Sequence, residues 1–190
     1  MIIECKIIEG KNLTWILRCP TKDDAEELSK LRVQIDGETE YLDREAGEGL
    51  LTAEDFEKLI YEDSAAENNL FLVAEAEGKI AGFTRCQGNK LSRFRHKAEF
   101  GICILKEYWG FGIGRVLIEN ILSWADNAGI EKISLTVVQT NTKAIQLYKR
   151  YGFVEEGLLI KDRIHQDGKY YNTVIMGKIF NSNEKAFRSN

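Results

Sequence analysis

Trp109-Gly110-Phe111-Gly112-Ile113-Gly114-Arg115 sets three glycines at alternate positions directly before the apolar helical pattern Val116 to Leu122. The apolar run Phe100 to Leu105 lies just upstream. A strand that enters a glycine-rich turn and then a helix presents unpaired backbone N–H groups to a phosphate. Missing Cβ atoms let the backbone approach a ligand, and the helix start adds partial positive charge. The chemistry this supports is binding of an anionic, diphosphate-bearing ligand. The same glycines would equally serve a tight turn before a core helix. Known nucleotide loops are a poor match. A dinucleotide fold needs G-x-G-x-x-G after its first strand, whereas these glycines are spaced G-x-G-x-G past mid-chain. No Lys-Ser/Thr follows Gly114, as a Walker A loop requires.

The remaining reactive residue types exclude several classes. Cys5, Cys19, Cys86 and Cys103 are widely spaced with no CxxC pair, so neither a zinc site nor a redox pair is expected, and no metal is assigned. Reduced thiols fit a cytoplasmic location. Net charge is −4, which disfavours nucleic acid and anionic membrane as partners. No apolar run approaches the ~20 residues of a spanning helix, and Met1 to Lys6 carries an early acid, unlike a secretion signal.

The 190 residues contain one proline and no low-complexity tract, so one domain over 1–180 with a tail at 181–190 is expected. Alternation predicts strands at Ile2 to Ile8 and Leu13 to Arg18 around Gly10-Lys11-Asn12, then at Leu70 to Ala76 and Ile80 to Gln87. Further strands are predicted at Lys97 to Leu105, Ile133 to Val138, Phe153 to Ile164 and Tyr170 to Ile179. Thr21 and Thr52, each with an acid three residues on, predict the starts of two helices. The first carries Ala25, Leu28, Leu31, Arg32 and Ile35, and the second runs to about Ala66. Gly112 to Asn127 and Thr142 to Tyr151 complete the helices, with Gly129 as a C-terminal stop. Hairpins mixed with helices mean α+β or mixed α/β, not a doubly wound parallel sheet.

Phe100 to Asn120, followed by Gln139 to Phe153, resembles the GNAT superfamily of acyl-CoA-dependent N-acetyltransferases. In the family's Q/R-x-x-G-x-G/A loop, Gly112 and Gly114 match while Trp109 stands where Gln or Arg is usual. The N-x-x-A-x-x-x-Y-x-x-x-G-F signature matches at Asn141, Ala144, Tyr148, Gly152 and Phe153. The resemblance covers roughly Trp15 to Ile179. It implies a central, mostly antiparallel mixed sheet of about seven strands flanked by about four helices, with acetyl-CoA as acyl donor.

By that resemblance Ile102, Cys103 and Ile104 form the strand end where pantetheine pairs like an extra strand and main-chain N–H groups hold the thioester oxygen. Gly110, Phe111, Gly112, Ile113, Gly114 and Arg115 wrap the pyrophosphate. Trp109 reads as a hydrophobic plug. Asn141 caps the next helix and, in the family, also bonds the pantetheine arm. Tyr148, two helical turns on, returns to the Asn141 face and is the candidate acid for the departing thiolate. The alternative for Tyr148 is a ring packed in the core.

An amine of pKa near ~10 must lose a proton before it attacks. Glu99 is the candidate base, since alternation sets Glu99, Gly101, Cys103 and Leu105 on one face. Its alternatives are an ordinary strand-end acid and a water path. Relatives acting on a ribosomal-protein N-terminus carry Glu five residues before the motif Asn, and here that residue is Thr136. In the acidic segment Asp36 to Glu48, Glu38, Glu40 and Tyr41 are the candidate acceptor residues, the alternative being a solvated loop. Cys103 has no motif His beside it, so direct transfer is expected rather than an acyl-enzyme. The reading is an acetyltransferase acting on a primary amine, small molecule or protein. The rivals are a non-catalytic acyl-CoA sensor and an interaction module. The family also admits a homodimer through the final strands.

Overall fold

The computed structural model describes residues 4–10 and 12–180. In chain order the elements are β1 (Lys6–Glu9), β2 (Thr14–Arg18), α1 (Ala25–Glu38), α2 (Ala53–Ala65), β3 (Asn69–Ala76), β4 (Lys79–Gly88) and β5 (Lys97–Ile104). There follow α3 (Ile113–Asn127), β6 (Lys132–Val138), α4 (Thr142–Arg150), β7 (Val154–Ile164) and β8 (Tyr170–Ile179). Ile2 and Ile3 of the first predicted strand, Lys11 of its turn and the tail at 181–190 lie outside the described residues.

The strands make one eight-stranded sheet in the order β1-β2-β3-β4-β5-β6-β8-β7, against about seven expected. The pairings β1–β2, β2–β3, β3–β4, β6–β8 and β7–β8 are antiparallel, while β5–β6 is parallel. A parallel pair needs a crossover connection, and α3 supplies it between β5 and β6. The mixed α+β architecture is therefore as expected. The stretch expected to be one domain divides into two compact units, Met1–Gln87 with Gly101–Ile121, and Gly88–Phe100 with Leu122–Asn190.

In the first unit, Thr52 and Asp55 exchange bonds that start α2, the Asp55 N–H donating to the Thr52 hydroxyl at 3.2 Å and the Thr52 N–H to the Asp55 carboxylate at 2.9 Å. The same Thr-x-x-Asp chemistry at Thr21 and Asp24 begins with a single 3-10 turn, Lys22–Asp24, before α1. Leu28, Leu31 and Ile35 of α1 and Phe56 and Ile60 of α2 cover Phe71, Val73 and Phe83 of the sheet. Each such side chain contributes about 1.5–3 kcal/mol on burial. Leu70 to Ala74 form a continuous buried run, as a strand covered on both faces requires. Gly82 of β4 has a positional reason: a Cβ there would lie 2.6 Å from the Cys103 carbonyl oxygen and 2.9 Å from the Ile104 Cα. Only the missing side chain lets β5 approach this closely.

In the second unit, Ala98 and Phe100 of β5, Ile133 and Leu135 of β6, and Val174 and Met176 of β8 are buried. Gly129, at φ +71, ends α3 as expected. No described helix is long and apolar enough to cross a membrane.

Candidate active site

In the first unit a single 3-10 turn, Lys106–Tyr108, leads from the end of β5 to the glycine turn. Gly110 and Gly112 have φ of +89 and +85, and a Cβ at either would meet nothing within 4 Å. The turn is therefore open as well as left-handed. The first bond closing α3 runs from the Val116 N–H to the Gly112 carbonyl at 3.2 Å. The N–H groups of Ile113, Gly114 and Arg115 precede it and have no helical acceptor. Trp109, expected as a hydrophobic plug, is instead 43% exposed, and its indole N–H donates to the Ile104 carbonyl at 2.8 Å. An amphipathic ring needs a polar partner for its N–H, and here that partner ties the turn to the last residue of β5. Arg115 is exposed and approaches Glu119 at 3.7 Å.

The C-terminal end of β5 and the residue after it are held by β4. The Leu105 N–H donates to the Ala81 carbonyl at 2.9 Å and the Thr84 hydroxyl to the Gly101 carbonyl at 2.8 Å. Glu99 and Gly101 are exposed whereas Cys103 and Leu105 are buried.

The acidic segment is more than a solvated loop. The Ser29 hydroxyl donates to the Leu51 carbonyl at 2.6 Å, and Leu42 and Leu51 rest on the core. The Glu38 carboxylate is engaged by its own chain, accepting from the Lys106 N–H at 2.7 Å and the Gln34 amide at 3.0 Å. Glu38 therefore braces the turn after β5 rather than presenting a free carboxylate to an acceptor. Glu40 is exposed, and Tyr41 is 39% exposed with its N–H on the Thr39 hydroxyl at 3.2 Å. Beside them Arg32 and Asp36 form an i,i+4 pair at 2.8 Å, and Arg32 Nη1 reaches the Cys103 sulfur at 3.6 Å. Burial pushes the Cys103 thiol up to about 11, partly offset by the Arg32 charge. A thiol held this far above neutrality is a poor nucleophile.

In the second unit, Asn141 Oδ1 accepts from the Ala144 N–H at 3.2 Å, so Asn141 caps α4. Four and seven residues on, Ile145 and Tyr148 are buried. The helix ends in a Schellman pair: the Phe153 N–H donates to the Tyr148 carbonyl at 3.1 Å and the Gly152 N–H to the Lys149 carbonyl at 3.0 Å. Gly152 has φ +82, and the Tyr148 and Phe153 rings meet at 5.8 Å. The Y-x-x-x-G-F spacing is thus a helix stop with its accompanying apolar contact. Tyr148 also meets Phe100 edge-to-face at 6.1 Å, so its ring sits in the core.

The Acetyltransferase (GNAT) family model matches residues 36–153. The chain belongs to this family. The GNAT assignment also agrees with individual relatives. An L-amino acid N-acetyltransferase, AaaT of Escherichia coli, is 31% identical over 57% of this chain and 67% of its own length. A spermidine N(1)-acetyltransferase of Vibrio cholerae is 31% identical over 60% of this chain and 67% of its own. The crystal structure of a GNAT acetyltransferase from Streptococcus pneumoniae superposes with a TM-score of 0.84 at 32% identity, covering 87% of this chain and 99% of that one. The chain is an acetyltransferase.

Within the first unit the Trp109 indole on the Ile104 carbonyl links the end of β5 to the glycine turn; within the second, Asn141 caps the helix that carries Tyr148. Sequence reasoning missed Gly82, Arg32 and Asp36. A signal for Arg32 was present, because an arginine interrupts the apolar stripe Leu28, Leu31, Ile35 of α1. Among the described residues no cluster of three or more metal-binding side chains occurs.

Proposed function

We propose that this GNAT acetyltransferase moves the acetyl group of acetyl-CoA directly to a primary amine, with residues 1–180 acting as one catalytic domain. The observation that carries the reading is the open, left-handed glycine turn that follows β5 after one 3-10 turn and opens into α3. Backbone N–H groups of Gly110 to Arg115 bind the pyrophosphate, and those of Ile102, Cys103 and Ile104 take the pantetheine arm and the thioester oxygen. Asn141 supports the arm with its amide. The amine nitrogen attacks the thioester carbon, the C–S bond breaks, and Tyr148 gives its proton to the leaving sulfur. The proton lost by the amine passes to Glu99 or to water. Glu40 and Tyr41 border the acceptor, with Glu38 bracing the turn. A cytoplasmic setting is proposed with it, from the wide spacing of the four cysteines in the sequence.

The two relatives described above are named for an amino acid and for a polyamine acceptor. The test is free-thiol release from acetyl-CoA across polyamines, aminoglycosides, amino acids and short peptides. Release with a selective acceptor supports the reading. Binding of acetyl-CoA with silence across the panel overturns it in favour of a sensor. Self-association through β7 and β8 is proposed as well, because the edge strand β7 exposes Leu158, Leu159 and Ile160. A monomeric mass by light scattering at working concentration would overturn that point.

A further inference from the structure

Arg32 is a part-buried cation of the first unit whose guanidinium is only partly bonded within the chain. Its guanidinium has five N–H donors. Nε is spent on both oxygens of Asp36, at 2.9 and 2.8 Å. Nη1 reaches only the Cys103 sulfur at 3.6 Å, a weak acceptor. Nη2, and the second N–H of Nη1, meet no protein acceptor among the described residues. The Arg32 side chain is 18% exposed and that of Asp36 3%. Burial works against the charge, and Asp36 with more distant Asp43 offsets it. The Arg32 nitrogens are not among the sealed, unpartnered polar atoms of the described residues, so Asp36 holds the fork while its Nη edge stays open to solvent.

The setting says what that edge is for. Arg32 and Asp36 lie on α1, and the fields of Asp43 and Arg44, from the segment after α1, act on Cys103 as well. Cys103 is one of the residues whose backbone N–H is assigned to the thioester oxygen, so the inference rests on the proposed function above. A planar fork with two adjacent free donors matches a carboxylate, which a lysine ammonium does not do.

We propose that Arg32 is a specificity residue that holds a carboxylate of the acceptor, so that the preferred acceptor is a small amino acid rather than a simple amine or a polyamine. The Nη1 and Nη2 edge takes the carboxylate, Asp36 keeps the guanidinium oriented through Nε, and the acceptor's amino group is thereby presented beside Cys103. Cationic polyamines lack this anchor and meet a positive charge instead.

The experiment compares matched acceptors that differ by one carboxylate: phenylalanine with phenethylamine, and γ-aminobutyrate with propylamine, each by thiol release from acetyl-CoA. The wild-type protein should favour one carboxylate-bearing member by about ten- to hundredfold in kcat/KM. Arg32→Lys keeps a partner for Asp36 but removes the fork, and should collapse that ratio toward unity, chiefly through KM. Equal kcat/KM within both wild-type pairs, or an unchanged ratio in Arg32→Lys, overturns the proposal while leaving the acetyltransferase reading intact. A purely structural Arg32 would lower all acceptors together and leave the ratio alone. Silence with every acceptor, despite acetyl-CoA binding, overturns both.

Discussion

Two helices of this chain begin directly after a strand or its turn, and they solve the same problem in opposite ways. At the start of α4, Asn141 turns its side chain back onto the Ala144 N–H and closes the end. At the start of α3, Gly112 has no side chain to turn back, its φ is +85, and nothing stands where its Cβ would be. A capped end needs nothing further. An uncapped end keeps its donors for a ligand, and the partial positive charge goes with them. The contrast separates a helix start closed by its own side chain from one whose N–H groups stay open, which is the start the proposed function uses.

Gly112→Val breaks the comparison most severely. The branched side chain disfavours the left-handed backbone and fills the space at the turn, so acetyl-CoA affinity should fall at least about hundredfold, as loss of several backbone donors to a charged group implies. Micromolar binding by a folded Gly112→Val protein, measured by calorimetry, would remove the pyrophosphate from this turn. Tyr148→Phe comes next and tests the α4 side. A lost general acid should lower kcat about hundredfold or more while acetyl-CoA Kd holds, because the proton is needed only as sulfur leaves. Equal turnover would leave Tyr148 a core ring alone.

Asn141 is expected to show the smaller, divisible effect. Asn141→Ala should cost about 1 kcal/mol of stability through the lost cap and weaken acetyl-CoA as well. Asn141→Asp restores the cap but not the amide donors, so stability should return while affinity does not. Recovery of both in Asn141→Asp would reduce Asn141 to a cap. The last test leaves the two helix starts and concerns the scaffold. Burial pushes the Cys86 thiol up to about 12 and Cys103 to about 11. Above pH 9 the unfolded chain loses these protons while the folded chain keeps them, so unfolding becomes easier as pH rises. Stability should decline by about 1.4 kcal/mol per pH unit for each thiol between roughly pH 9 and 11. Urea midpoints of Cys86→Ala should fall less steeply over that interval, and an identical slope would refute the assignment.

Much of the site was legible because its chemistry is local. The glycines at 110 and 112, the cap at Asn141 and the stop at Gly152 each concern backbone within a few residues of themselves. The helix starts at Thr21 and Thr52 were legible for the same reason, although the first begins as a 3-10 turn. What the sequence did not show is which partners these side chains take once the chain folds. Glu38 looked like an acceptor-side carboxylate, but the Lys106 N–H, 68 residues away, occupies it. Trp109 looked like a plug, but its N–H finds the Ile104 carbonyl once the turn folds back. Alternation sets Glu99 in phase with Cys103, while burial differs between them.

The sequence by itself determined the element order, the open glycine turn, the capped α4 and the family, because periodicity, caps and left-handed glycines are properties of neighbours. The tertiary structure alone decided that Gly82 must lack a side chain, that Cys103 is a protonated core thiol, and that Arg32 stands beside it with donors to spare. Those facts depend on how closely β4 approaches β5 and on what α1 lays over them. Distance and desolvation between remote segments set them, and no local spacing encodes either.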